Sequence, residues 1–291
     1  MSTNSACVLR KGTADGSLSV LGENSDMKNR NDVEKYKNMD ESKRAEKSKR
    51  LADLRRKMIP ALEILYPRKC PVCDRIITPK GALICPPCRK RVSFIQGPAC
   101  QKCGKALMFE EKEYCENCIS QEHRFAGGAA LMDYDSVARK ILADLKYGNR
   151  RDNADYVAAE MAQRLAENIR RMRPDALIPV PVHSKRKRVR GFNQAELLAR
   201  RLGERLEIPV RPDLLVRVKN TRPQKELGSL GRLNNLLSAF AVRQWDERLE
   251  QVVLVDDIYT TGSTMEACTR ALLAAGAKKV FVVSAAIGKD R

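Results

Sequence analysis

The sequence predicts an α/β protein, a mostly parallel sheet with flanking helices, preceded by a small module of two cysteine ribbons. Three observations carry this expectation. After residue 125, short apolar runs alternate with segments of helical period. Between residues 70 and 118, eight of the ten cysteines fall into four CxxC pairs that start every fifteen residues. One apolar run, Val252-Val253-Leu254-Val255, leads straight into two carboxylates and a Thr/Gly/Ser loop.

Taken in order, residues 1–50 are Ser-, Thr- and Asn-rich and then dense in charges of alternating sign, which predicts a disordered or solvated charged extension. Leu51, Leu54, Met58, Leu62 and Leu65 recur at helical spacing, predicting an amphipathic lead-in helix over 51–66 that packs on the following module. Residues 67–120 hold the cysteine ladder, and 120–124 read as a short polar joint in which His123 is an ordinary surface residue. The remaining domain spans 125–291. Within it, 128–134, 176–182, 252–255 and 279–287 read as strands, and 136–146, 154–172 and 193–206 as helices. Val137, Ile141, Leu142 and Leu145 lie along one side of the first helix.

The cysteine pairs are Cys70/Cys73, Cys85/Cys88, Cys100/Cys103 and Cys115/Cys118. Two intervening residues let both sulfurs of a pair face one ion, and two such knuckles complete a tetrahedral tetrathiolate site. Disulfides are the alternative, but the chain starts MSTNSACVLRK without the apolar core of a secretory signal, so a reducing, cytoplasmic setting is expected. The simplest assignment is two structural zinc ions in consecutive ribbons, with crossed pairing left open by spacing alone. Cys7 lies in the polar tail, and Cys268 falls on an apolar helix face as packing.

The run ending in Asp256-Asp257-Ile258-Tyr259-Thr260-Thr261-Gly262-Ser263-Thr264 is too short for a helix and reads as an interior strand. Met265, Cys268 and Leu272 follow at helical spacing, so Thr264 sits near a helix N-terminus, where free N–H groups hold phosphate. A magnesium-binding strand of a nucleotide hydrolase is a second reading, although the chain has no GxxxxGK[ST] loop.

This segment resembles the phosphoribosyl pyrophosphate (PRPP) signature of type I phosphoribosyltransferases. The resemblance implies that Asp256 and Asp257 take the ribose hydroxyls, and that Thr260, Thr261, Gly262, Ser263 and Thr264 take the 5-phosphate. A cysteine-ribbon module ahead of such a domain resembles the ComF family of competence-associated proteins. Leu145-Lys146-Tyr147, the stretch Arg186 to Ala195 with its RxxxRGFNQA pattern, and Thr221-x-x-Gln224-x-x-Leu227 with Arg232-x-x-Asn235 are similar to that family's elements. Lys219 stands where many relatives carry Arg.

From the resemblance follow further expectations. Lys185, Arg186 and Arg190 form a basic pyrophosphate loop beside His183, and Lys219, Gln224 and Arg232 belong to a flexible loop that closes over the site. PRPP binds with magnesium, phosphoribosyl transfer goes to an unspecified acceptor, and the protein acts in DNA uptake with a helicase or other competence proteins as partners.

Net charge is +19, and residues 185–232 hold fourteen Lys/Arg against five Asp/Glu. Such a field suits PRPP, and it also suits single-stranded DNA, so a non-catalytic PRPP sensor or DNA-binding adaptor is the rival function. Only Tyr147 and Phe192 are at hand as stacking rings, which weakens the DNA reading. Membrane insertion is not expected, because no apolar run approaches the ~20 residues of a spanning helix.

Overall fold

The computed structural model describes residues 67–218 and 239–289, all within one compact unit that begins at Pro67. The expected extension and lead-in helix lie outside the described residues, as do Lys219, Gln224 and Arg232 of the expected flexible loop.

A four-stranded parallel sheet organises the molecule. It comprises β1 (Gly127–Asp133), β2 (Ala176–Pro179), β5 (Gln251–Tyr259) and β6 (Lys279–Ile287), in the order β1-β6-β5-β2. Between them run helices α3 (Ser136–Tyr147), α4 (Asn153–Arg171), α6 (Gln194–Leu206) and α7 (Ser263–Ala275). The central strands are apolar on both sides, as parallel strands covered on two faces must be. Val253, Val255 and Val283 pack with Ile141 and Leu142 of α3, Val157 and Met161 of α4, and Leu198 and Leu202 of α6. On the other face, Val252, Leu254 and Val282 pack with Met265, Cys268 and Leu272 of α7. Cys268 is thus buried packing, as its helical position predicts.

Two further strands, β3 (Leu215–Arg217) and β4 (Phe240–Val242), pair antiparallel as a separate ribbon on that second face. At three residues each they are too short to leave a period in the sequence. The strand expected over 176–182 ends at Pro179, and the basic loop expected after it is instead a helix, α5 (Ser184–Arg190). His183 caps it by accepting the Lys185 amide on Nδ1 at 3.2 Å, and Gly191 closes it at φ 78°. Asn193 caps α6 through the Ala195 amide and donates to the Val180 carbonyl at 3.0 Å. The GFNQ stretch therefore builds the helix-to-helix corner.

The cysteine ribbons are fused to this sheet. The first ribbon, with helix α1 (Pro86–Arg89), joins the face lined by α3 and α4, and the second, with α2 (Glu116–Ser120), joins the face lined by α7. Between them the chain runs along the free edge of β1. The Ile95 amide donates to Leu131 at 3.0 Å, the Asp133 amide to Ser93 at 2.9 Å, and the Gly128 amide to Gln101 at 3.2 Å. An edge strand that would otherwise present unpaired backbone is thereby covered. Gly104 is required at one contact, where φ is +80° and an added Cβ would lie 2.4 Å from the Ala130 amide nitrogen. Buried Glu160 of α4 accepts from Arg89 at 2.9 Å and from Arg164 at 3.0 Å, pinning α1 to the domain.

The joint over 120–124 is not a solvated linker. His123 is buried and stacked on Phe125, with centroids 4.8 Å apart, and the Arg124 amide donates to Glu266 of α7 at 2.7 Å. Polar composition hid this, because Glu266, which holds the joint, and Gly262, which His123 faces, lie more than a hundred residues further along the chain. No helix of the described residues is long and apolar enough to cross a membrane.

Candidate active site

Ligands of open parallel sheets bind beyond the carboxyl ends of the strands. The two segments singled out by sequence meet there, because β5 and β2 are neighbours, Asp256–Tyr259 form the carboxyl-terminal part of β5 with Thr260–Thr264 just beyond it, and Ser184–Arg190 follow β2.

Strand β5 continues through both carboxylates to Tyr259, so successive side chains leave it on opposite faces. Asp257 follows Val253 and Val255 and is ion-paired to Lys146 of α3, with both side chains largely buried. Asp256 follows Val252 and Leu254 toward α7 and accepts the Asp257 amide at 2.8 Å. Burial, and then the charge of Asp257, pushes the Asp256 carboxyl well above the usual carboxylate range. A hydroxyl donor or a cation brought to this position would favour its ionised form.

Beyond the strand, Thr260 and Thr261 are exposed, and Gly262 turns the chain into α7 at φ 79°. An added Cβ there would lie 2.2 Å from the Tyr259 hydroxyl and 3.0 Å from Cε1 of His123, so only glycine fits. The Thr261 and Ser263 hydroxyls are 2.9 Å apart. Ser263 and Thr264 open α7, whose first amides have no partner within the helix. This is the geometry of an anion cradle with a positive dipole end behind it.

On the other wall, Lys185, Arg186, Lys187 and Arg188 of α5 are exposed and Arg190 is half-buried. Arg190 donates to the Tyr147 hydroxyl at 3.0 Å and lies over its ring at 4.8 Å, while Arg151 lies over Phe192 at 4.6 Å. Arg217 of β3 completes the surroundings. Burial, followed by the charge of Arg186, lowers its pKa, while Asp256 acts in the opposite sense. A cavity of about 560 Å³ opens beside Arg217, between α5 and β3, with Ser184, Lys187 and Arg243 on its walls. A second cavity of about 560 Å³ lies at the amino ends of β1 and β6, near Gly127 and Phe281, away from the carboxylates.

Sequence reasoning missed three contributors to this region. Lys146 was visible only as part of the LKY element, Arg217 as one cation among many, and His123 as surface. None is a neighbour of Asp256 in the chain, and no local period links them.

The eight cysteines form two groups, Cys70/Cys73/Cys85/Cys88 and Cys100/Cys103/Cys115/Cys118, in each of which all sulfurs lie within 4.8 Å of one another. A tetrahedral tetrathiolate with ~2.3 Å bonds has edges of about 3.8 Å. The Cys73–Cys85 and Cys103–Cys115 sulfurs are 4.0 and 3.7 Å apart. Each first knuckle turns the same way: the Cys70 amide donates to Arg75 and the Cys100 amide to Lys105, both at 2.8 Å. Each second knuckle opens a short helix, with Cys85 and Cys115 at the N-caps. Burial and the neighbouring Cys73 and Cys70 sulfurs push the Cys88 thiol up to about 12, whereas a bound zinc would hold its cysteine ligands as thiolates. Two zinc ions fit in consecutive pairing, and with all four positions filled by sulfur they are structural.

Comparison with known proteins agrees with this division. Residues 61–119 match the double zinc ribbon domain model, and residues 157–289 match the phosphoribosyl transferase domain model. Competence protein F of Haemophilus influenzae is 32% identical over 171 residues, which cover 57% of this chain and 75% of that protein. DNA utilization protein YhgH of Salmonella typhi is 30% identical over 172 residues, covering 57% and 74% respectively. Among solved structures, a purine phosphoribosyltransferase from Pyrococcus horikoshii aligns over 45% of this chain and 74% of its own, at TM-score 0.31 and 20% identity. With its ribbon module, its phosphoribosyltransferase-like sheet domain and its identity to Competence protein F over three quarters of that protein, the chain belongs to the ComF family.

Proposed function

We propose that this protein binds PRPP with magnesium at the carboxyl edge of the sheet and transfers its phosphoribosyl group to an acceptor, in the service of DNA uptake. The observation that carries the reading is the single continuous element from Asp256 to Thr264. It sets two carboxylates at a strand's end and, within a few residues, an anion cradle at the start of a thirteen-residue helix.

In this reading the 5-phosphate is held by the hydroxyls and amides of Thr260–Thr264, and Asp256 and Asp257 accept from the ribose hydroxyls. Lys146, paired to Asp257 in the free protein, yields that carboxylate to the ligand or stays as a neighbouring cation. Loss of pyrophosphate leaves positive charge on the anomeric carbon and negative charge on the departing oxygens. Lys185, Arg186 and Arg217 supply fixed positive charge for the latter. Magnesium, when bound, would neutralise the pyrophosphate oxygens. The link to DNA uptake rests on relatives named as competence and DNA utilization proteins.

A second reading is favoured by one observation. Tyr147 is 74% exposed and carries Arg190 on its ring, and a ring–guanidinium pair of this kind is a stacking platform for unpaired bases. Titration calorimetry of the full chain decides between the readings. Binding of PRPP with magnesium, followed by pyrophosphate release when the right base or amine is added, supports transfer. Indifference to millimolar PRPP together with tight, salt-sensitive binding of single-stranded DNA supports the adaptor.

A further inference from the structure

The second ribbon reaches the phosphate loop through two buried rings. Tyr259 is 2% exposed and packs in one buried cluster with Phe125 and with Cys100, Cys103 and Cys115 of the second ribbon. His123, five residues beyond Cys118, is 7% exposed and lies flat on Phe125 at an interplanar angle of 18°. Phe125 in turn meets Tyr259 edge-on at 6.5 Å. The Tyr259 hydroxyl and His123 Cε1 both press on the bare face of Gly262. Among the described residues, neither imidazole nitrogen has a hydrogen-bond partner. His123 Nδ1 is 3.8 Å from Glu266 Oε2, beyond hydrogen-bond reach. The ring therefore contributes shape: it is thin enough to fill the slot between Phe125 and the loop, and Glu266 behind it is held by Arg124 and Arg270.

We infer that His123 is a positioning residue for the phosphate loop, so that the second zinc ribbon forms the floor on which Gly262 and the start of α7 rest. The inference deepens the proposed function, since the loop it positions is the PRPP 5-phosphate cradle. Recognition by oriented groups depends on placement, and at reacting centres misplacement by about 1 Å costs up to about a hundredfold in rate. Removing the ring leaves a void under Gly262 while every cysteine and every residue of the 260–264 loop is kept.

The test compares the full zinc-loaded chain with His123→Ala and His123→Phe. Zinc content is measured on each, hydrogen exchange of the 260–264 amides is followed without ligand, and PRPP with magnesium is titrated by calorimetry. His123→Ala is expected to keep two zinc ions per chain, to exchange at the loop amides at least about tenfold faster, and to bind PRPP about tenfold to a hundredfold more weakly. His123→Phe, which retains a flat ring, is expected to restore both. Unchanged loop exchange in His123→Ala overturns the inference, and so does failure of the Phe variant to restore slow exchange. If the wild-type chain ignores PRPP, the proposed function falls, while the exchange measurement still decides whether His123 orders the loop.

Discussion

Changing Asp256 and Asp257 together to Asn tests the site most directly, and the structure sets the magnitudes. Each carboxylate is expected to accept one charge-assisted hydrogen bond from a ribose hydroxyl, worth roughly 1.5–3 kcal/mol. Losing both bonds weakens PRPP by at least about a hundredfold, at ~1.4 kcal/mol per tenfold. At a PRPP concentration about a hundred times the wild-type dissociation constant, ligand contributes ~2.7 kcal/mol to stability. For a folded unit of this size that is a melting shift of roughly 5–10 °C. In the double variant the same concentration contributes only about 0.4 kcal/mol, a shift near 1 °C. The ligand-free protein changes in two opposing ways. Asn at 256 removes a carboxyl whose ionised form is disfavoured, whereas Asn at 257 deprives Lys146 of its partner. Thermal denaturation with and without PRPP and magnesium separates these contributions. A double variant that melts lower without ligand yet keeps the full ligand shift would refute the assignment, and would make the carboxylates a purely structural brace.

Atomic absorption is expected to find two zinc ions per chain, and Cys73→Ser to release one. Because the first ribbon shares the domain core with α3 and α4, that loss should lower the melting temperature of the whole unit, with ~10 kcal/mol of metal-binding free energy at stake per site. Replacing Lys185, Arg186 and Arg190 by Gln should weaken PRPP, and should lower the salt slope for single-stranded DNA by about 0.7 for each phosphate no longer neutralised. If DNA binding collapses while PRPP is unaffected, α5 is a nucleic-acid surface. Glu266 predicts an acid limit. Burial raises its pKa, but the hydrogen bonds it accepts from Arg270 and the Arg124 amide outweigh this and hold it at about 2, against an ordinary 4.5. The stabilisation is complete above pH 4.5 and is lost as pH falls toward 2, roughly 3 kcal/mol in all. Glu266→Gln should lower stability at pH 7 and flatten the acid loss, as read from urea midpoints across that range.

The sequence alone determined whatever depends on residues close together in the chain. The paired CxxC knuckles specify their metal chemistry because both sulfurs of a pair must reach one ion. Asp256 to Thr264 specifies strand, carboxylates and cradle in one continuous stretch. Apolar patterning located the four sheet strands and helices α3, α4 and α6, because burial on one or two faces leaves a period that can be read. The basic run Lys185-Arg186-Lys187-Arg188 was legible as charge but not as a helix, since the apolar content of α5 is a single valine and the caps at His183 and Gly191 decide its form. Only the tertiary structure decided that the ribbons cover the edge of β1, that Lys146 meets Asp257, and that His123 lies beneath Gly262. Those contacts join residues far apart in the chain, and their stabilisation comes from shape and charge matched across packed surfaces, which leave no local pattern in the sequence. A polar joint of five residues and a buried floor under the 260–264 loop look alike in sequence, and what separates them is whether Phe125, Glu266 and Gly262 converge on the same imidazole.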